Sequence, residues 1–139
     1  MRRPGQTKAP RIRAVLREIR DRYGTITLDA LGKQRTPELL DALTAFHGVG
    51  KKTAACVALF ELGRDVCPVD THVHRIVKRL GWVSERVSAD AAFDELAGRL
   101  PAGEAHEAHI ALIRHGRTLC RPRPRCRECA VRRLCPSAE

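Results

Sequence analysis

Between Phe46 and Val57 the chain reads FHGVGKKTAACV, and this stretch restricts the fold more than any other. An apolar, helix-like run is broken by Gly48 and Gly50 and resumes after two lysines, so two helices meet at a turn of a few residues. Glycine permits the reversal and leaves no Cβ to hold a large ligand away from the backbone. The N–H groups opening the second helix then point outward at the positive end of its dipole, an arrangement suited to phosphate. An ordinary helical corner would use these glycines for backbone freedom alone. Lys51 and Lys52 tilt the reading towards an anion.

The rest of the chain is helical in period. Ile12, Val15, Leu16, Ile19 and Tyr23 form a stripe closed by Gly24. Thr36 and Pro37 open a helix as N-cap and first-turn residue, with Leu39, Leu40, Leu43 and Phe46 facing inward. Thr53 to Leu62 is apolar on nearly every side, which predicts a buried helix ending at Gly63. Val73, Ile76, Val77 and Leu80 form a stripe stopped by Gly81. Phe93, Leu96 and Leu100 form another, with Ser88 as its cap, and a last long helix is expected from about Ala105 to Leu119. No strand pattern or repeat stands out. An all-α fold is expected, and 139 residues allow one compact domain or two small lobes.

Charge is uneven along the chain. Residues 1–64 carry 13 basic and 6 acidic side chains, residues 65–110 carry 5 and 8, and residues 111–139 carry 8 and 2. The net charge of +10 therefore sits at the two ends, which favours a polyanionic partner such as nucleic acid over uniform solubility.

The opening residues MRRPGQTKAP lead into an amphipathic pattern, and no run reaches transmembrane length. A cytoplasmic, reducing location (nucleoid-associated in a bacterium) with no membrane partner is expected, where six cysteines do not read as a disulfide framework. Four of them crowd the end of the chain. Cys120, Cys126, Cys129 and Cys135 are separated by five, two and five residues. Such a set holds either zinc or an iron–sulfur cluster, since both accept four thiolates. Cys56 and Cys67 are not needed as ligands. Arg121, Arg123 and Arg125 alternate with Pro122 and Pro124, so a stiffened loop would project its guanidiniums towards phosphate.

GVGKKTAACV followed by VDTHVHR, then HGRTLC and the terminal cysteines, resembles the endonuclease III family of helix-hairpin-helix DNA glycosylases from about Lys8 to Cys135. The resemblance implies a helix-hairpin-helix DNA glycosylase fold. Residues 1–64 would form a partial helical-barrel lobe carrying the hairpin, and residues 65–139 a second lobe with the cluster loop at 120–135. It implies Lys52 as nucleophile and Asp70 as the accompanying carboxylate. Expected DNA contacts are Gly48, Val49, Gly50, Lys51 and Thr53 in the hairpin, with His72, Arg121, Arg123 and Arg125. It also tips the cysteine set from zinc to a [4Fe–4S] cluster, although the first interval is one residue shorter than is usual in the family.

These residue types suit the chemistry. A nucleophilic amine must be neutral, yet a free lysine titrates near about 10.4. The positive end of a helix, the neighbouring Lys51 and partial desolvation would each disfavour the Lys52 cation. Asp70 precedes a helix and reads as its N-cap. A carboxylate held there stays ionised and can stabilise positive charge developing at C1′, or shuttle a proton. His74 is expected on the helix surface. Glycosidic bonds are shielded in duplex DNA, so the base must flip into a pocket, with Lys52 on one wall and Asp70 on the other.

The expected function is therefore a DNA glycosylase/abasic-site lyase that removes oxidised pyrimidines from double-stranded DNA and nicks abasic sites. An adenine-mispair glycosylase is a second reading, against which Lys52 argues, as does the lack of the extra C-terminal domain such relatives carry. A non-catalytic DNA-binding remnant, or half of a split glycosylase, is a third. Family members carry further helices before the equivalent of Lys8. An N-terminally truncated fold is thus expected, with an exposed apolar patch beside helix 53–62 and a second chain as one source of the missing helices.

Overall fold

The computed structural model describes residues 4–138; Met1–Arg3 and Glu139, which the charge blocks include, lie outside them. Seven α-helices follow one another: α1 (Pro4–Tyr23), α2 (Asp29–Gly32), α3 (Thr36–Thr44), α4 (Lys51–Phe60), α5 (Thr71–Arg79), α6 (Ala89–Leu96) and α7 (Ala105–Thr118). Two 3₁₀ turns, Cys126–Glu128 and Arg132–Leu134, end the chain. No strand occurs among the described residues, as the periodicity predicts. No helix among them is long and apolar enough to cross a membrane. The chain divides into two compact units, Met1–Ala54 and Ala55–Glu139, and the division falls inside α4.

In the first unit, α1 ends where expected. Gly24 takes a left-handed φ of 75° and its N–H returns to the Arg20 carbonyl at 2.7 Å. The apolar stripe of α1 is only partly used, however. Ile19 is buried, while Ile12 is 59% and Leu16 40% exposed, because the remaining elements of this unit are short. Helix α3 starts one position before the sequence suggests. The Arg35 carbonyl already accepts the Leu39 N–H at 2.9 Å, so Arg35 is the N-cap and Thr36 the first helical residue. Leu39 and Leu43 of this helix are buried, as is Phe46 just beyond it. Helix α2 has no sequence signal beyond its anchor, the buried Leu31.

Helix α4 also starts early, at Lys51 rather than Thr53. Gly50 serves as its N-cap, and lysine is a good helix former. Nor is α4 buried all round: Ala54, Ala55, Ala58 and Leu59 are covered, Cys56 and Val57 are half-buried, and Phe60 is 45% exposed. The exposed apolar surface expected beside this helix thus rests on Phe60. Past α4, Gly63 is left-handed and lets the Arg64 N–H return to Ala58 at 2.8 Å.

The second unit is built on one apolar cluster. Leu59, Val69, Val73, Ile76, Val77 and Leu112 lie at its centre, and Val83, Ala92 and Leu96 extend it under α6. Ser88 caps α6 as predicted, accepting the Ala91 N–H at 3.1 Å. Helices α5 and α7 share the closest packing, and Gly116 makes it possible. A Cβ there would stand 2.9 Å from His72 Cβ and 3.0 Å from Ile76 Cδ1. Glu104, at the N-cap of α7, makes no side-chain capping bond. Asp65 caps this helix instead, its two oxygens accepting from Gly103 N–H (2.6 Å) and Ala105 N–H (3.1 Å).

Candidate functional site

The glycine hairpin forms a turn held from both sides. The His47 N–H reaches Glu18 Oε2 at 3.3 Å, and the Arg22 guanidinium sits 4.7 Å above the Phe46 ring. Gly48 adopts φ +80°, the left-handed conformation that side chains other than glycine resist, and Val49 N–H closes on Phe46 at 3.1 Å. Gly50 differs. Its φ is not positive and open space surrounds the place where a Cβ would stand. It is the N-cap of α4, with its carbonyl accepting from Ala54 N–H at 3.0 Å, and it brings no side-chain acceptor. The first-turn N–H groups of Lys52 and Thr53 therefore find no acceptor within the helix and point out of its start.

Gly48, Gly50, Lys52 and Thr53 are exposed, and Val49 and Lys51 half-buried. Both lysines lie in the first turn of α4, where the helix dipole opposes a cation. Lys52 is exposed, not partly desolvated as its place beside the apolar run predicts.

In the second unit, Asp70 occupies the N-cap of α5 as predicted. Its backbone is extended (φ −92°, ψ −176°), and Oδ1 accepts from the N–H groups of His72 and Val73, both at 2.8 Å. Three residues earlier, the Cys67 thiol is pushed up to about 12, first by burial and then by the Asp70 charge, so it stays an inert packing group. The His72 ring is held too: its Nδ1 lies 3.1 Å from Arg75 Nη2 and accepts from it, which places the imidazole proton on Nε2. His74 does not lie freely on the helix surface as expected. It is half-buried, with Nε2 2.9 Å from the Val87 carbonyl.

Cys120, Cys126, Cys129 and Cys135 line one cavity, together with Arg79 and His115, and all four are half-buried free thiols. The 3₁₀ turns produce this convergence. Cys129 N–H bonds Cys126 at 3.1 Å, Arg132 N–H bonds Cys129 at 3.1 Å, and Cys135 N–H bonds Arg132 at 3.3 Å. The shortened loop is closed by Arg125 N–H to Leu119 at 3.0 Å. Among the described residues, no three His, Cys, Asp or Glu side chains converge on a single ion-sized point. Four thiols ringing one cavity are a donor set that either zinc or an iron–sulfur cluster accepts.

The arginines of this loop are all exposed, but they do not all project as the alternation with proline suggests. Arg121 turns back, its Nε donating to the Arg117 carbonyl at 2.9 Å. Arg125 pairs with Glu128, Nε to Oε1 at 2.7 Å. Arg123 alone of the three makes no bond within the described residues.

Sequence reasoning passed over two residues, Arg75 and Arg79, which hold this region from α5. Arg75 donates to the carbonyls of Gly116 and Cys120, both at 3.0 Å. Arg79 donates to Arg121 (2.7 Å) and Pro122 (2.9 Å) carbonyls and to Cys120 Sγ (3.3 Å). Their partners lie some forty positions away, so no local pattern marks them.

Comparison with known proteins gives a consistent picture. No family model matches the chain. Endonuclease III of Thermotoga maritima is 34% identical over 129 residues, which are 92% of this chain and 56% of that protein. Endonuclease III of Sulfolobus acidocaldarius is 33% identical over 132 residues, 94% of this chain and 56% of that protein. Among solved structures, a non-covalent endonuclease III–DNA complex superposes with a TM-score of 0.76 at 30% identity, over 94% of this chain and 57% of the other. A trapped endonuclease III–DNA covalent intermediate gives 0.77 at 30% identity, over 94% and 58%. The chain spans a little over half the length of these relatives. Over that span it has the all-helical endonuclease III fold, and it belongs to the endonuclease III family.

Proposed function

We propose that the chain serves DNA repair as a base-excision glycosylase with abasic-site lyase activity, acting on double-stranded DNA that carries an oxidised pyrimidine or an abasic site. The observation that carries this reading is the start of α4. Gly50 brings no side-chain acceptor to the N–H groups that open the helix beside Lys51 and Lys52, and an anionic sugar-phosphate backbone suits those donors and the helix dipole together. Gly48, Val49 and Thr53 complete that contact, and the exposed Arg123 adds a salt-sensitive phosphate contact from the cysteine loop. Arg121 and Arg125 contribute positive field while held by their own partners.

Lys52 Nζ, after giving up a proton, attacks C1′ of the flipped nucleotide, the glycosidic bond breaks, and the base leaves with a proton. The ring then opens as O4′ takes a proton, giving an imine between C1′ and Nζ. Loss of a C2′ proton and cleavage of the C3′–O bond nick the strand, and water releases the lysine. Asp70, held by two N–H groups, is the carboxylate that stabilises positive charge at C1′ and moves a proton during attack. His72 presents Nε2–H as a donor to the DNA backbone.

Cys120, Cys126, Cys129 and Cys135 would hold a [4Fe–4S] cluster, whose contribution is structural: it fixes the arginine-bearing loop. Cavity and donor set both fit that group.

Borohydride trapping on a duplex with one abasic site tests the reading. A covalent adduct that vanishes in Lys52→Ala is expected. A folded, DNA-binding sample giving no adduct would overturn the lyase. The second reading, a non-catalytic module or one half of a split enzyme, would then stand, favoured by the exposure of Lys52.

A further inference from the structure

We infer that Arg79 is the positioning residue of the cysteine centre, the side chain that makes the shortened Cys120–Cys126 loop competent to hold a cluster; this rests on the iron–sulfur reading above. Arg79 is the last residue of α5, and it touches both ends of the cysteine set. Its guanidinium donates to Cys120 Sγ at 3.3 Å, and its carbonyl oxygen lies 3.5 Å from Cys135 Sγ, whose thiol donates to it. The same guanidinium spans the next two carbonyls of the loop, Arg121 at 2.7 Å and Pro122 at 2.9 Å.

This arrangement answers a specific difficulty. With five residues between the first two cysteines, and prolines at 122 and 124, the loop contributes few N–H donors of its own. Carbonyls 121 and 122 would otherwise need water or would turn into the thiol-lined cavity. The planar fork of arginine suits two carbonyls and a sulfur at once; a lysine ammonium carries the same charge without that geometry. The contact changes character on loading. Cys135 loses the proton it gives to the Arg79 carbonyl, whereas the N–H to Cys120 strengthens because its acceptor becomes anionic. A cation donating to a ligand sulfur also favours the more reduced cluster.

Full-length protein, Arg79→Lys and Arg79→Gln are compared after identical iron–sulfur reconstitution, with circular dichroism confirming the helices. Iron and sulfide per chain, the rate of cluster loss to a chelator, and the reduction potential are measured. Arg79→Gln is expected to lose its cluster roughly tenfold faster, in line with removal of a charge-assisted hydrogen bond, and to shift to a lower potential. Arg79→Lys should keep most of the potential while its loop is cut faster by trypsin after Arg125, the one arginine of the three that proline does not follow. Equal cluster lifetimes and potentials in all three proteins would overturn the inference. A wild-type chain that takes up zinc and no iron would overturn the iron–sulfur reading itself, and the inference with it.

Discussion

Helices α4 and α5 begin in opposite ways. At α5 the orphan N–H groups of the first turn are taken by the Asp70 carboxylate, so that helix start is closed and carries a fixed negative charge. At α4 the N-cap is Gly50, which has no side chain to reach back, and the first turn carries two lysines. A carboxylate cap of the first kind is worth on the order of a few tenths of a kcal/mol more than glycine in the same place, and α4 forgoes that much at an unstrained position. Under the function proposed above, the closed start presents a carboxylate and the open one keeps its donors for a phosphate.

Exchanging features between these two starts tests the contrast. The largest effect is expected at Asp70. Asp70→Asn keeps a capping oxygen and the folded stability, yet should slow imine trapping by about a hundredfold through loss of the carboxylate charge. Asp70→Ala should lose activity similarly and also about 1 kcal/mol in urea unfolding. Equal trapping by the Asn variant and wild type would reduce Asp70 to a cap.

Next comes Gly50→Asp, which closes the open start. Its backbone allows the change, so the helix should gain a few tenths of a kcal/mol, while affinity for duplex DNA should fall about tenfold or more at low salt. Unchanged binding, measured by fluorescence anisotropy, would show that α4 does not face phosphate.

The smallest effect lies at Cys67. Its thiol is held up to about 12 when folded, against 9.0 for the ordinary group. Between those values the unfolded chain releases a proton that the folded chain keeps, so stability is unaffected below pH 9 and declines as pH rises towards 12. Urea titrations at pH 8 and pH 10 should show the decline, and Cys67→Ala should remove it. Asp70→Asn should soften it, because the Asp70 charge is the lesser of its two causes.

What was legible beforehand was what short-range physics decides. The stripes, the glycine stops at 24, 63 and 81, and the Asp70 and Ser88 caps follow from helical period and from side chains two or three residues away from the groups they serve. Helix starts at α3 and α4 shifted by one or two positions, since several neighbouring residues can serve as N-cap. Residues whose role depends on distant chain gave no such sign. Gly116 reads as a helix weakener until His72 is placed against it, and Arg79 reads as one more surface arginine until the cysteine loop folds over it. The half-buried state of His74 was missed for the same reason, its partner being Val87.

The cap supplied by Asp65 has a consequence for how this chain can be divided. Helix α7 takes its starting hydrogen bonds from a residue that precedes α5 and α6, so those two helices form the contents of a closed bracket. Cutting anywhere between residues 66 and 102 leaves α7 depending on the other fragment for its first turn. Circular permutation or fragment exchange should therefore respect that bracket and move it as one piece.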